Sequence, residues 1–396
     1  MSIKIAIIIL IILIIVCALL FGSVVYIKLR QAAREIKRKK DTRIIKPVLR
    51  RLFTGDIVYF FKNQEKEIQK LTETLNDKDS IQTLEDLLLM ELEDAGADIK
   101  LRANAIAYSF GFPENSLSMI RDRITSNIAI GCRKAGLYQY KEAIPDILDT
   151  LNIVSSNTQL QALMALSRIG DSAAMIQAFD KIHRLILVNE RAVNETLAIF
   201  SGDRYELFRQ MLHHDSPYLV RLFLKSMDRE TAGTLIEDIA LICENRDKET
   251  RLAGIIAIGK AGKKAKIRIL IDALNDKEWE IRAMAARTLG VLTGPIAIKP
   301  LRIAACDREW WVRQNAVTSI LAYPNHDRIL ASVIKTGDKY AYDSIQHILE
   351  KNDDKELLSV INNAWANNSA PAPKPVQAGK TRPAKSGNSN RGRKVV

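Results

Sequence analysis

The sequence opens with an uninterrupted apolar stretch and continues in segments where apolar residues recur every three or four positions. Residues 5–27 contain no charged side chain and, as a helix, would be long enough to cross the hydrocarbon core of a membrane. From residue 52 to about residue 365 the apolar spacing is that of helices with one buried face. Sustained alternation of apolar and polar residues, which indicates strands, is missing. The pattern predicts an all-α protein with one transmembrane helix followed by many short amphipathic helices.

A short polar phrase repeats along the second half of the chain. In each copy an Asp or Asn is followed six positions later by Arg, within a segment of helical apolar spacing. The copies are Asp215/Arg221, Asn245/Arg251, Asp276/Arg282 and Asp307/Arg313, and Asp338 continues the interval with Ser344 in place of Arg. The Asp or Asn positions of successive copies are 30 or 31 residues apart. Self-similarity at such a period is typical of a solenoid, in which each repeat buries its apolar face only against its neighbours. We therefore predict an α-solenoid of stacked antiparallel helix pairs.

Composition divides the chain into five segments. The segments are a transmembrane helix at 5–27, a basic juxtamembrane segment at 28–51, degenerate helical repeats at 52–125, the regular solenoid at 126–365, and a basic tail rich in Pro, Gly and Ser at 366–396. The tail has too few large apolar residues to bury a core, so we predict that it is disordered. Arg102 resembles a degenerate copy of the repeat Arg. Gly136 and Gly170 are expected to end two helices, because Gly readily takes the left-handed conformation of a C-cap.

The net charge of +13 comes from the two flanks of the predicted solenoid. Residues 28–51 hold eleven Lys or Arg against two acidic residues, and the tail holds seven Lys or Arg and no acid. Positive residues next to a membrane span stay in the cytoplasm. We therefore expect a single-pass protein of the cell membrane with its N-terminus outside and its C-terminal body in the cytoplasm. A cleaved signal peptide is the main alternative, but the apolar stretch is longer than a signal peptide requires and only Lys4 precedes it.

Part of the basic segment is also a candidate for contact with anionic lipid. Lys and Arg close to the surface of an anionic membrane contribute about 1 kcal/mol each to its attraction. The candidate residues are Arg34, Lys37, Arg38, Lys39 and Lys40. The simpler explanation of these basic residues is that they only set the orientation of the membrane span. The two roles, orientation and lipid contact, are compatible.

Aromatic residues occupy the same position in three copies of the repeat. Tyr218, Trp279 and Trp310 each lie three residues after the Asp, and Trp311 follows the last of them. Equivalent positions of stacked repeats line up, so these rings are candidates for a partner-binding ridge near the starts of successive inner helices. The alternative, which we favour slightly, is that the rings pack between repeats and cover the apolar seam. Adjacent helix positions point about 100° apart, so we expect only one of Trp310 and Trp311 to be buried.

Patterns typical of catalytic or metal-binding sites are missing from the sequence. The four cysteines form no CxxC pair, and the five histidines lack the spacing of metal ligands. A nucleophile elbow, a phosphate-binding glycine loop and a dinucleotide fingerprint are also missing. We therefore predict that the protein is not an enzyme and has no metal site and no cofactor. Small-molecule binding stays open.

At the repeated Asp and Arg positions the chain resembles the HEAT-repeat family, in particular the short repeats found in phycobilin-lyase-like proteins. The resemblance covers about 126–365 and is best at 276–290 and 307–321, where the Asp-x5-Arg phrase begins an Ala-rich helix. It implies a ladder of hydrogen bonds between the Asp and Arg side chains of successive repeats, with Asp276 and Asp307 capping their helices. Asn245 would weaken this ladder, and at Ser344, near the end of the array, it would stop.

Three functions are compatible with this architecture. The first is a membrane-anchored scaffold that binds membrane-associated proteins at the cytoplasmic face; anchored HEAT proteins that resemble this chain accompany glycosyltransferases of the bacterial envelope. The second is nucleic-acid binding, which the mildly acidic body at 52–368 makes unfavourable, because such proteins cluster Lys and Arg on the fold itself. The third is a chromophore-lyase-like subunit, a function that a fold alone does not establish. We favour the scaffold.

Overall fold

The computed structural model describes residues 3–75, 77–152, 155–182, 190–262 and 266–369. Within these ranges the chain forms 23 α-helices and no strand, which confirms the all-α, HEAT-like solenoid. The chain divides into two compact units, Met1–Ala261 and Gly262–Val396. The predicted disordered tail lies almost entirely outside the described residues.

The first unit contains sixteen of the described helices. They are α1 (Ile3–Thr54), α2 (Ile57–Lys62), α3 (Gln64–Thr74), α4 (Lys78–Asp94), α5 (Ala97–Ser109), α6 (Phe112–Ile120), α7 (Thr125–Leu137), α8 (Ile144–Thr150), α9 (Ser156–Ile169), α10 (Ser172–Lys181), α11 (Glu190–Ala198), α12 (Arg204–Leu212), α13 (Pro217–Ser226), α14 (Arg229–Thr234), α15 (Ile236–Ile242) and α16 (Lys248–Ala261).

The second unit contains the other seven described helices. They are α17 (Ile267–Ala273), α18 (Trp279–Leu292), α19 (Ile298–Ala304), α20 (Trp310–Ile320), α21 (His326–Ile334), α22 (Lys339–Lys351) and α23 (Lys355–Ser369). Helices α18, α20 and α22 pack side by side in this order, and the shorter helices α17, α19 and α21 pack against them. Small residues such as Ala285, Ala286 and Ala316 are fully buried and allow the helices to approach closely.

Helix α1 is 52 residues long and changes its environment along its length. Its apolar first part is exposed at the described side chains, for example at Leu19 and Phe21. Near its end, by contrast, Ile45, Leu49 and Leu52 are buried on one face, where α1 packs against α3, α4 and α5. Burying an aliphatic side chain of this size contributes about 1.5–3 kcal/mol. The second half of α1 is therefore part of the core of the first unit.

Two glycines of the first unit have different roles. Gly170 has φ 79° and ends α9, as the sequence predicted. Gly136 was expected to end a helix in the same way, and this expectation is wrong, because it lies inside α7. A Cβ at Gly136 would be only 2.6 Å from the Cα of Ala165 on α9. Its role is therefore to let α7 and α9 approach each other closely.

Candidate functional site

Three tryptophans of the second unit lie at the first turns of neighbouring helices. Trp279 is the first residue of α18, and Trp310 and Trp311 are the first two residues of α20. A tight turn sets each start: the Oδ1 of Asp276 accepts from the backbone N of Glu278 at 2.9 Å, and the Oδ1 of Asp307 accepts from that of Glu309 at 2.9 Å. The N-caps are thus Glu278 and Glu309, so the expectation that the two aspartates cap these helices directly is wrong.

The tryptophan side chains are substantially exposed. Trp279 is 37% exposed, Trp310 43% and Trp311 56%. The expectation that one of Trp310 and Trp311 is buried is therefore wrong. Both belong to the first helical turn, where their rings contact each other edge to face at a centroid distance of 4.6 Å. The two rings therefore shield each other partly from solvent, and neither of them is buried in the core.

Tyr340 extends this surface, although the sequence pattern did not indicate it. It lies in the first turn of α22 and is highly exposed, and the guanidinium carbon of Arg313 lies 5.4 Å from its ring centroid. Tyr340 follows Asp338 by two residues, and the sequence pattern of an aromatic three residues after Asp therefore does not include it. We define the aromatic surface as Trp279, Trp310, Trp311 and Tyr340.

Tyr218 belongs to the first unit and is not included in this surface. It is the second residue of α13, and its side chain is half-buried. Its part in the predicted ridge stays a prediction.

The repeated Asp and Arg residues meet between successive repeats of the second unit. Arg282 donates from Nε to the Oδ2 of Asp307 at 2.8 Å and from Nη2 to its Oδ1 at 2.9 Å. In the next repeat Arg313 donates from Nε to the hydroxyl of Ser344 at 3.2 Å, and from Nη1 to the carbonyl oxygen of Asp307 at 2.8 Å. Successive repeats are thus joined first by the Arg282–Asp307 carboxylate pair and then by the hydrogen bond from Arg313 to the Ser344 hydroxyl.

Hydrogen bonds across the Arg282–Asp307 pair change the pKa of both groups. The carboxylate of Asp307 raises the pKa of Arg282. Burial alone would raise the pKa of Asp307, but hydrogen bonds from Arg282 and from the backbone N–H of Glu309 outweigh it, so this pKa lies below its usual value. Both groups are therefore charged at neutral pH.

In the first unit the carboxylate of the ladder comes from Asp247, which lies two residues after the predicted position Asn245. Arg221 donates from Nη1 to the Oδ2 of Asp247 at 2.7 Å, and not to Asn245. The Oδ1 of Asn245 instead accepts from the backbone N of Asp247 at 2.9 Å, and its carbonyl oxygen accepts from the Nη1 of Arg251 at 3.0 Å. The expectation that the ladder weakens at Asn245 is therefore wrong, because the neighbouring Asp247 supplies the carboxylate.

Asp215 does not take part in the ladder. Its side chain is exposed, and within the described residues it has no hydrogen bond or ion pair. Arg191, which lies 30 residues before Arg221, pairs with Glu195 on its own helix at 2.9 Å. Among the described residues no guanidinium is therefore directed at Asp215, and its predicted role is corrected.

Two of the candidate lipid-binding residues are engaged inside the first unit. Lys37 lies 2.6 Å from the Oδ2 of Asp77 and 2.9 Å from that of Asp79, at the start of α4. Arg38 lies 3.2 Å from Asp86 on the same helix. Hydrogen bonds from Lys37 and from the backbone of Ser80 lower the pKa of Asp77 to about 2.

Lys37 and Arg38 are thus paired with acids of α4, and their side chains are 39% and 62% exposed. Lys39 pairs with Glu35 on its own helix at 2.8 Å and stays exposed. Arg34 and Lys40 are exposed without an ion pair in the described part of the chain. For all five residues lipid contact stays a prediction.

Arg102 fixes the end of α1. It is 3% exposed and donates to the carbonyl oxygens of Leu52 at 2.7 Å and Gly55 at 2.6 Å. Carbonyls at the end of a helix lack intrahelical partners, and Arg102 supplies them. The degenerate repeat Arg thus acts on the junction between α1 and the solenoid.

The described residues contain no group of three or more His, Cys, Asp or Glu placed to hold a metal ion. Burial raises the pKa of the Cys132 thiol to about 11 and that of Cys243 to about 12, so neither is a reactive thiolate at neutral pH.

Comparisons with known proteins place the chain among helical-repeat proteins. Residues 236–322 match HEAT repeats. A search of the curated proteins finds no match. Similar solved structures include human deoxyhypusine hydroxylase (19% identity, 60% of this chain and 95% of that chain, TM-score 0.28) and importin beta (10% identity, 82% and 54%, TM-score 0.36). Another is the complex of CpcE and CpcF of phycocyanin lyase from Nostoc sp. PCC7120 (14% identity, 65% and 94%, TM-score 0.24).

TM-scores this low carry no argument about function. The conclusion on architecture therefore rests on the matched segment together with the repeating helix pairs of the structure. This chain is a helical-repeat protein whose residues 236–322 match HEAT repeats, with a long apolar helix at its N-terminus.

Proposed function

We propose that this chain is a single-pass, membrane-anchored scaffold whose solenoid binds protein partners at the cytoplasmic face of the cell membrane. The observation that carries the proposal is α1, whose apolar first half is exposed at the described side chains and whose second half packs into the first unit near its end. In water such an apolar surface would promote association or aggregation. In a bilayer the same surface would lie in hydrocarbon.

The second half of α1 supports a stiff link between anchor and solenoid. At a rise of 1.5 Å per residue, about 15 Å of helix separate residue 27 from Lys37, where the ion pairs with α4 begin. Buried Ile45 and Leu49 and the Arg102 hydrogen bonds then fix the rest of the helix. A solenoid held close to the membrane in this way meets membrane-associated partners at a raised effective concentration.

The basic residues of 28–51 support the proposed orientation, because Lys and Arg that follow a membrane span favour the cytoplasmic side. A helix that continues from the apolar stretch into the solenoid without a break favours an anchor over a cleaved signal peptide.

The aromatic surface is the proposed partner-binding site. Trp and Tyr are enriched among the residues that dominate the energy of protein interfaces, and these four rings lie exposed at neighbouring helix starts. We further propose that the protein acts by binding and not by catalysis. Candidate partners are membrane proteins, including glycosyltransferases of the kind suggested by the family resemblance.

The anchor is tested by fractionation and by fusions. We expect the full chain to stay in the membrane pellet after carbonate extraction. A fluorescent protein fused after Val396 should be fluorescent, and alkaline phosphatase at the same position should be inactive, because the C-terminus would lie in the cytoplasm. Release into the supernatant, or an active phosphatase, would contradict the proposal.

The partner site is tested by affinity purification of the full chain from detergent. We compare wild type with a Trp310→Ala/Trp311→Ala variant and with a control, Val291→Ala/Ile303→Ala, which removes other exposed apolar side chains of the same unit. We expect partners with wild type and the control, and loss of partners with the tryptophan variant. Full recovery by the tryptophan variant would contradict the site, and recovery of no partner by wild type would contradict the scaffold.

A further inference from the structure

The first unit contains a groove with a volume of about 540 Å³ that none of the features above explains. It is formed by the end of α4, by α5, and by the C-terminal ends of α7 and α9. Its walls combine apolar side chains, such as Leu101, with charged and polar groups from Lys100, Asn104 and Arg168. A volume of this size accommodates a small ligand or a few residues of a peptide.

Arg168 is the unusual residue of this groove. It lies in the last turn of α9, half-buried, and its Nη1 is buried without a hydrogen-bond partner among the described residues. Burial lowers the pKa of its guanidinium. The nearby carboxylate of Glu93 is already bound to Arg133, with Nη2 and Oε1 2.6 Å apart. Because the Glu93 carboxylate is shared with Arg133, the desolvated charge of Arg168 is only partly compensated, and the groove keeps an excess of positive charge at this point.

Two further groups of the groove are incompletely paired. Lys100 carries a second positive charge, and its Nζ donates to the backbone oxygen of Glu93 at 3.3 Å without forming an ion pair. The side-chain Oδ1 of Asn104 is buried and accepts no hydrogen bond from the part of the chain that the structure describes. The groove therefore offers two cations for an anion and one acceptor for an N–H donor, beside the exposed apolar side chain of Leu101.

These requirements fit one class of ligand. A carboxylate or a phosphate would satisfy Arg168 and Lys100, but inorganic phosphate supplies neither an amide N–H for Asn104 nor an apolar group for Leu101. A peptide with Glu or Asp between apolar residues supplies all three. We propose that this groove binds a short acidic peptide segment of a protein partner, with its carboxylate on Arg168 and Lys100 and a backbone N–H on Asn104.

This inference stands apart from the proposed function. The groove lies within the first unit and requires neither a membrane around α1 nor the aromatic surface of the second unit. Failure of either proposal would therefore leave the other intact.

The test measures binding to the full chain in detergent. The probe is a labelled, end-blocked octapeptide of alternating Leu and Glu, and the matched control peptide replaces Glu by Gln. We expect wild type to bind the Glu peptide and not the Gln peptide. Arg168→Met should weaken binding at least about tenfold, because Met keeps an apolar stem and removes the charge. Arg123→Met, which removes an exposed cation outside the groove, should bind like wild type.

A thermal melt separates a binding role from a structural one. We expect Arg168→Met to melt at the wild-type temperature or above it, since a desolvated, unpaired charge is removed. Equal affinity of wild type and Arg168→Met for the Glu peptide would overturn the proposal, as would a lower melting temperature together with unchanged binding. Competition by inorganic phosphate or by anionic-lipid vesicles as effective as by unlabelled Glu peptide would also overturn the assignment to a peptide.

Discussion

Arg282 binds both carboxylate oxygens of Asp307, which belongs to the following repeat. The same guanidinium donates to the carbonyl oxygens of Asp276 and Lys277, just before its own helix begins. One side chain therefore connects the starts of α18 and α20. The side chains of the pair are only 7% and 15% exposed, so loss of one partner would leave a poorly solvated charge behind.

We expect Arg282→Ala to destabilise the protein by about 3 kcal/mol, the lower end of the range for breaking a buried ion pair. Denaturant unfolding of the full chain in detergent, followed by circular dichroism, measures this change. Arg328→Ala removes an exposed cation of the same unit and should change stability by less than about 0.5 kcal/mol. Membrane fractionation should be the same for both variants. An unaltered unfolding midpoint for Arg282→Ala would contradict the stabilising role of the ladder.

The lowered pKa of Asp307 predicts how this contribution depends on pH. A carboxyl group whose pKa is lower in the folded protein stabilises it above the ordinary pKa of about 3.9 and loses this effect as pH falls through the folded pKa. The stability difference between wild type and Asp307→Asn should thus be largest near neutral pH and shrink below about pH 4. Unfolding midpoints at a series of pH values measure it. A difference that stays constant to about pH 3 would contradict the assignment.

The close approach of α7 to α9 at Gly136 makes a further prediction. The added methyl group of Gly136→Ala would meet the backbone and side chain of Ala165, which cannot move away without shifting α9. We expect a loss of about 1–3 kcal/mol, typical of overpacking. Gly55→Ala is the control, because its Cβ would meet no atom closer than 3.8 Å. Thermal melts of the two variants compare these sites, and equal melting temperatures would show that α9 relaxes freely.

The sequence predicted the features that repeat. The interval of the Asp and Arg phrase indicated the stacked helices, and the position of Trp279 and Trp310 after Asp placed both at helix starts. The period also located Arg282 opposite the next repeat. Such features are predictable because each repeat reproduces the environment of the one before it.

Contacts that occur only once were not predictable in this way. The ion pairs of Lys37 with Asp77 and Asp79 depend on how α1 docks against α4, which no local pattern encodes. Asp247 replaced the expected acid because a shift of two residues still reaches Arg221. The unpaired state of Arg168 depends on Glu93 being engaged elsewhere, so only the structure reveals it.

The junction between α1 and the solenoid supports the final prediction. Arg102 holds the carbonyl oxygens of Leu52 and Gly55, so Arg102→Met should leave both acceptors poorly satisfied and loosen the end of α1. We expect amide hydrogen exchange at residues 50–56 to accelerate at least about tenfold, since an opening free energy lower by about 1.4 kcal/mol has that effect. Arg121→Met breaks an exposed pair with Asp146 and should leave this exchange unchanged. If Arg102→Met exchanged at the wild-type rate, Arg102 would not be the residue that fixes the end of α1 to the fold.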